Sequence, residues 1–140
     1  MLKRTNLSSI LERDAEIVDR HLDYSFLEGR SITLTGATGL VGTNIVAAVN
    51  FRNRIQEDKT KRISINAVMR DGFDEKLSDI FSHPYISVFS GDVSDSKFIG
   101  SLPISDYIIH AAGYGQPARF TLDKIRTLGI NTTATIELGK

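Results

Sequence analysis

Thr35-Gly36-Ala37-Thr38-Gly39-Leu40-Val41-Gly42 carries the reading of this chain. It follows a short β-rich run, Ser31 to Thr35, and leads into Ile45, Val46, Ala47, Ala48 and Val49, a mostly apolar helical stretch. Glycines spaced three and three between a strand and a helix each have a physical task. The first permits a tight turn, the second lets backbone N–H groups approach a diphosphate, and the third permits close packing of helix on strand. The helix start adds unpaired N–H donors and a partial positive charge. A phosphate-binding P-loop would need Gly-Lys-[Ser/Thr], whereas Gly42 is followed by Thr43-Asn44.

The rest of the chain alternates strands with helices. Ile63, Ile65, Ala67 and Met69 alternate with Ser64, Asn66 and Val68 as a second strand. Tyr85 to Phe89 makes a third and Tyr107 to Ala111 a fourth. Leu77, Ile80 and Phe81 suit a short helix closed by His83-Pro84, and Asn53 to Arg62 reads as a helix end and solvated loop. A loop is expected between the third and fourth strands. Leu122 to Leu138 carries apolar residues at helical spacing despite Gly129. Residues 1–30 form an added element. There Ser9 and Glu12 suggest a capping box, and Leu11, Ala15, Val18 and Leu22 form an apolar stripe expected to pack on its own domain, with docking on a partner as the alternative. This order implies an α/β fold with a parallel sheet covered on both faces.

Composition bounds the possibilities. The 140 residues suit one domain, and 41% apolar with 24% charged residues describes a globular chain. Seventeen basic residues balance seventeen acidic ones, and no basic stripe or aromatic platform is visible, so neither nucleic acid nor an anionic membrane is an expected partner. Cysteine is absent, which excludes disulfides and thiolate chemistry. Met1 to Asn6 lacks a leader's apolar core, and no apolar run approaches a membrane span, so a cytoplasmic location is expected.

From Ser31 to Lys140 the sequence resembles the extended short-chain dehydrogenase/reductases, the NAD-dependent epimerase/dehydratase group acting on nucleotide sugars. The resemblance rests on the triple-glycine loop, Gly91-Asp92-Val93 after the third strand, His110-Ala111-Ala112-Gly113 after the fourth, and Asn131 in the following helix. It implies a Rossmann-like doubly wound sheet over residues 31–140, binding NAD or NADP. Gly36, Thr38, Gly39, Leu40, Val41 and Gly42 would form the phosphate loop. Asp92 would accept from the adenine amine, and the backbone of Val93 would contact the ring. Ala111, Ala112 and Gly113 would leave room for a flat cofactor, and Asn131 would buttress the site. An acid at the end of the second strand would favour NAD, but here Arg70-Asp71 occupies that place. Arg70 tilts the choice toward NADP, while Asp71 keeps NAD open.

Chemistry in that family uses a Tyr-x-x-x-Lys pair. Four residues after Tyr24, Tyr85, Tyr107 and Tyr114 stand Glu28, Phe89, Ala111 and Ala118, none of them Lys. The chain is therefore expected to be the cofactor-binding part of a larger epimerase, 4,6-dehydratase or decarboxylase, inactive alone and without catalytic residues of its own. The alternative is a non-catalytic module that senses NADP. Strand four would present an open edge, so self-association or a homodimer is expected. His110 reads as a packed, hydrogen-bonded residue. His21 and His83 offer no metal-ligand spacing, so no metal is expected. Tyr114 to Phe120 is either a loop near the substrate or a plain connector.

Overall fold

A computed structural model describes residues 7–140, apart from the side chains of Pro117, Arg119 and Phe120. The stretch Met1 to Asn6, read above for a leader, lies outside the described residues.

Four strands form one parallel sheet: β1 (Ser31–Thr35), β2 (Ser64–Met69), β3 (Ile86–Ser90) and β4 (Tyr107–His110), in the order β3-β2-β1-β4. The central register sets Ile32 beside Ile65 and Leu34 beside Ala67, and β1 meets β4 with Thr35 beside His110. Alternation sorts the side chains into two layers. Ile32, Leu34, Ile65, Ala67 and Met69 pack under one set of helices, whereas Val68 turns to the other face. The first layer holds α1 (Leu7–Asp19), α2 (Leu40–Ile55) and α3 (Ser78–Phe81). The second holds α4 (Ser96–Gly100), α6 (Lys124–Asn131) and α7 (Thr133–Leu138), with α5 (Pro117–Leu122) leading into α6. Val46, Ile32 and Leu34 are fully enclosed, and each such side chain contributes roughly 1.5–3 kcal/mol relative to exposure. The chain is an α/β protein with a Rossmann-like parallel sheet.

Four expectations need correction. Ser9 does not cap α1, because the helix is already formed at Leu7; Glu12 instead meets Arg54 of α2. Asn53 is not solvated. It is buried, donating to the Ile63 carbonyl at 2.7 Å and accepting from the Ile63 amide at 2.8 Å, which joins the end of α2 to the entry of β2. The connection between β3 and β4 contains α4, started by the Asp95 carboxylate accepting from the Lys97 amide. The C-terminal helix is also divided, at Asp123 and Thr132 and not at Gly129. Asp123 departs from helical dihedrals and accepts from the Arg126 amide, and Thr132 is bent at φ −119°.

Within the N-terminal element, Leu11 and Ala15 bury against α2, while Val18 and Leu22 stay half-exposed.

Candidate functional site

The glycine loop divides its labour. Gly36 leaves β1 at φ +68°, where a side chain is strained, and a Cβ there would lie 2.6 Å from the Ala111 carbonyl oxygen. The turn closes as the Gly39 amide donates to the Gly36 carbonyl at 2.9 Å. Gly42 sits inside the first turn of α2, and a Cβ there would fall 2.2 Å from the Gly36 oxygen. It is the contact that seats the helix on the turn. Gly39, the N-cap of α2, differs from both. Its backbone is extended, and the one atom within 4 Å of a built Cβ is the Gly36 oxygen, at 3.2 Å. The first helical bond is Thr43 N–H to the Gly39 carbonyl, so the amides of Leu40, Val41 and Gly42 are the helix's leading donors.

This turn floors a groove of about 290 Å³ at the carboxyl edge of the sheet. Gly36, Thr38 and Gly39 form the floor, Arg70 and Asp71 extend from β2, Asp92 and Val93 follow β3, and Ala111, Ala112 and Gly113 follow β4. A Cβ on Gly113 would meet nothing within 4 Å. The structure thus gathers ten of the fourteen sequence-selected residues around one cavity. Gly42 packs behind the floor. Leu40 and Val41 border a different, apolar groove on the α2 and β4 side. Asn131 is not brought to the groove: Ile130 takes the buried position on α6, and Asn131, one residue round the helix, is exposed and donates to the Thr127 carbonyl at 2.8 Å.

Asp92 is held firmly. One oxygen accepts from the Ser94 amide at 2.9 Å and the Ser94 hydroxyl at 2.7 Å, and the other meets the guanidinium of Arg126. Burial pushes the Asp92 pKa up, but the Ser94 bonds and the charges of Arg126 and Arg70 outweigh it and hold the carboxyl below its ordinary value. Arg70 donates from Nε to Asp71 at 2.8 Å. The groove therefore carries two guanidiniums and two carboxylates. Arg126 carries no motif signal in the sequence, because its partner Asp92 lies 34 residues away along the chain. The available signal was its i,i+4 spacing from Ile130, which puts both on one face of α6. Gly91 is legible in the sequence only as part of its motif; a Cβ there would lie 2.4 Å from the Phe98 ring, so glycine lets α4 close on the end of β3.

His110 ties strand to helix. The Thr35 hydroxyl lies 2.6 Å from its Nδ1, and Nε2 lies 2.9 Å from the Ile130 carbonyl. Because a carbonyl only accepts, Nε2 carries a proton, and in the neutral ring Nδ1 accepts from the Thr35 hydroxyl. The Thr35 oxygen in turn accepts from the Ala112 amide at 3.2 Å. Both ring nitrogens are thus engaged by the framework, as the reading of a packed histidine expects. Among the described residues no group of three or more His, Asp or Glu side chains could hold a metal ion, and no helix is long and apolar enough to cross a membrane.

No family model and no curated protein matches the chain. Solved structures do. The X-ray structure of Pen from Bacillus thuringiensis aligns over 81% of this chain with a TM-score of 0.61 and 16% identity. The short-chain dehydrogenase/reductase "Glucose/ribitol dehydrogenase" from Brucella melitensis aligns over 80% with a TM-score of 0.53 and 23% identity. This chain covers 33% of the first and 49% of the second. At such identities the likeness establishes the fold: a Rossmann-like α/β sheet of the kind found in a short-chain dehydrogenase/reductase.

Proposed function

We propose that the groove binds a nicotinamide dinucleotide, NADP in preference to NAD, and that the chain is the cofactor-binding portion of a nucleotide-sugar epimerase, 4,6-dehydratase or decarboxylase. The observation that carries this reading is Gly39. It is the least crowded member of the glycine triplet, a built Cβ meeting the Gly36 oxygen at 3.2 Å, it caps a 16-residue helix, and it lies on the cavity floor. A diphosphate placed there meets bare amides and the positive end of α2. Asp92, ionised and fixed by Ser94, is suited to accept from an adenine amine. Ala111, Ala112 and Gly113 keep the floor low where a flat ring system would pass. Arg70 at the end of β2 favours a phosphorylated ribose. When bound, the nicotinamide supplies hydride-transfer chemistry. The residues of this chain bind and orient; the proton-transfer pair belongs, on this reading, to the longer enzyme.

The alternative is a non-catalytic module that senses NADP through the same groove. The coding sequence beyond codon 140 separates the two, since a Ser or Thr followed by Tyr-x-x-x-Lys belongs to the enzyme. Binding itself is tested by calorimetric titration of the protein with NAD and NADP, alongside Gly39→Val. The reading expects wild-type binding, tighter for NADP, and its loss in the variant. Equal binding by Gly39→Val overturns it.

A further inference from the structure

Arg126 lines the groove from α6, as Arg70 does from the end of β2. Its guanidinium meets Asp92 Oδ2, the oxygen that Ser94 leaves available. The side chain is one-third exposed, yet its Nε is buried and has no hydrogen-bond partner among the described residues. A buried guanidinium nitrogen without an acceptor is costly, and an anionic oxygen delivered to that position would relieve the cost. The backbone beneath Arg126 is anchored at two points. Asp123 accepts from its amide at 3.2 Å, and the Ile130 carbonyl is held by His110 at 2.9 Å. The helix backbone is thus held by contacts that do not involve the Arg126 side chain.

We infer that Arg126 is a second specificity-determining residue, which leaves Asp92 when the dinucleotide enters and closes with Arg70 on the 2′-phosphate of the adenosine ribose. This inference rests on the dinucleotide reading above. An adenine amine and the Arg126 guanidinium compete for the same Asp92 oxygen. The displaced guanidinium then needs a new anion inside the groove. NAD offers none at the ribose, whereas NADP carries a phosphate there, flanked by guanidiniums from two walls.

The test is calorimetric titration of wild-type, Arg126→Gln and Arg126→Lys with NADP, NAD, 2′,5′-ADP and 5′-AMP, with circular dichroism confirming the fold of each. Arg126→Gln is expected to weaken NADP and 2′,5′-ADP by ~10-fold or more, as loss of a charge-assisted pair to phosphate does. NAD and 5′-AMP should bind as in wild-type or more tightly, because no charged donor then competes for Asp92. Arg126→Lys should recover part of the NADP affinity. Equal weakening of NAD and NADP would place Arg126 at the diphosphate or in the groove wall and overturn the inference, as would unchanged NADP binding. A folded wild-type protein that binds none of the four ligands overturns the dinucleotide reading as well; wild-type binding without discrimination by Arg126→Gln overturns this inference alone.

Discussion

A Cβ placed on Gly36 would press on the Ala111 carbonyl oxygen at 2.6 Å, and the φ of +68° adds strain for any side chain. At Gly42 the obstacle is the Gly36 oxygen at 2.2 Å, again backbone and unable to step aside. Gly36→Ala and Gly42→Ala should each destabilise the protein by about 2 kcal/mol or more in urea unfolding. Gly39→Ala faces one contact at 3.2 Å and should stay within about 1 kcal/mol of wild type. The three substitutions thus separate the glycines that hold the turn from the one proposed to face a ligand. If Gly39→Ala proves as damaging to stability as the others, that separation fails. Gly36, Gly39 and Asp92 were legible as site residues because their spacing after a strand encodes the turn. Arg126 was not, since a partner brought from another strand end leaves no trace in local spacing.

The joins between elements rest on a few polar contacts. His110 connects β4 to α6 through Thr35 and the Ile130 carbonyl. His110→Ala should lower amide-exchange protection across α6 while leaving β1 and β2 protected, since a lost buried bond costs roughly 1–3 kcal/mol locally. Uniform loss of protection throughout the sheet would contradict a local role. Asp106 joins the starts of β1 and β4, accepting from the Ser31 amide at 2.8 Å and the Ser31 hydroxyl at 2.9 Å, with Arg30 beside it. These contacts, the Ser31 amide foremost, lower its pKa. A carboxyl with a lowered folded pKa stabilises fully above its unfolded value, and that stabilisation is lost as pH falls through the folded value. Acid unfolding of wild type and Asp106→Asn should therefore converge at low pH and diverge above about pH 4. Parallel stability curves across that window would contradict the assignment. Strands were legible because alternation and β-branched runs mark them. The five-residue α4 was too short to show a helical period, and the breaks at Asp123 and Thr132 carry no glycine or proline to announce them.

The sheet is closed on one side of β4 and open on the other. Among the described residues β4 pairs only with β1, and Tyr107 and Ile108 are exposed beside Leu40 and Val41 in an apolar groove of about 660 Å³. An unpaired edge flanked by apolar surface recruits other strands. Light scattering of the 140-residue chain across a concentration series should show rising mass, and a monomer at every concentration would contradict this expectation. The carboxyl rim, by contrast, is built from four separate strand ends that converge only after folding, which is how ten selected residues come to share one cavity. Whether that rim receives a dinucleotide can be read amide by amide, from nitrogen–proton correlation spectra of the protein titrated with NADP. The account predicts saturable shifts at Gly39 to Gly42, at Asp92 and Val93, and at Ala111 to Gly113, with β3 residues Ser87 and Val88 unmoved. Shifts confined to other surfaces, or none at millimolar NADP, would contradict it.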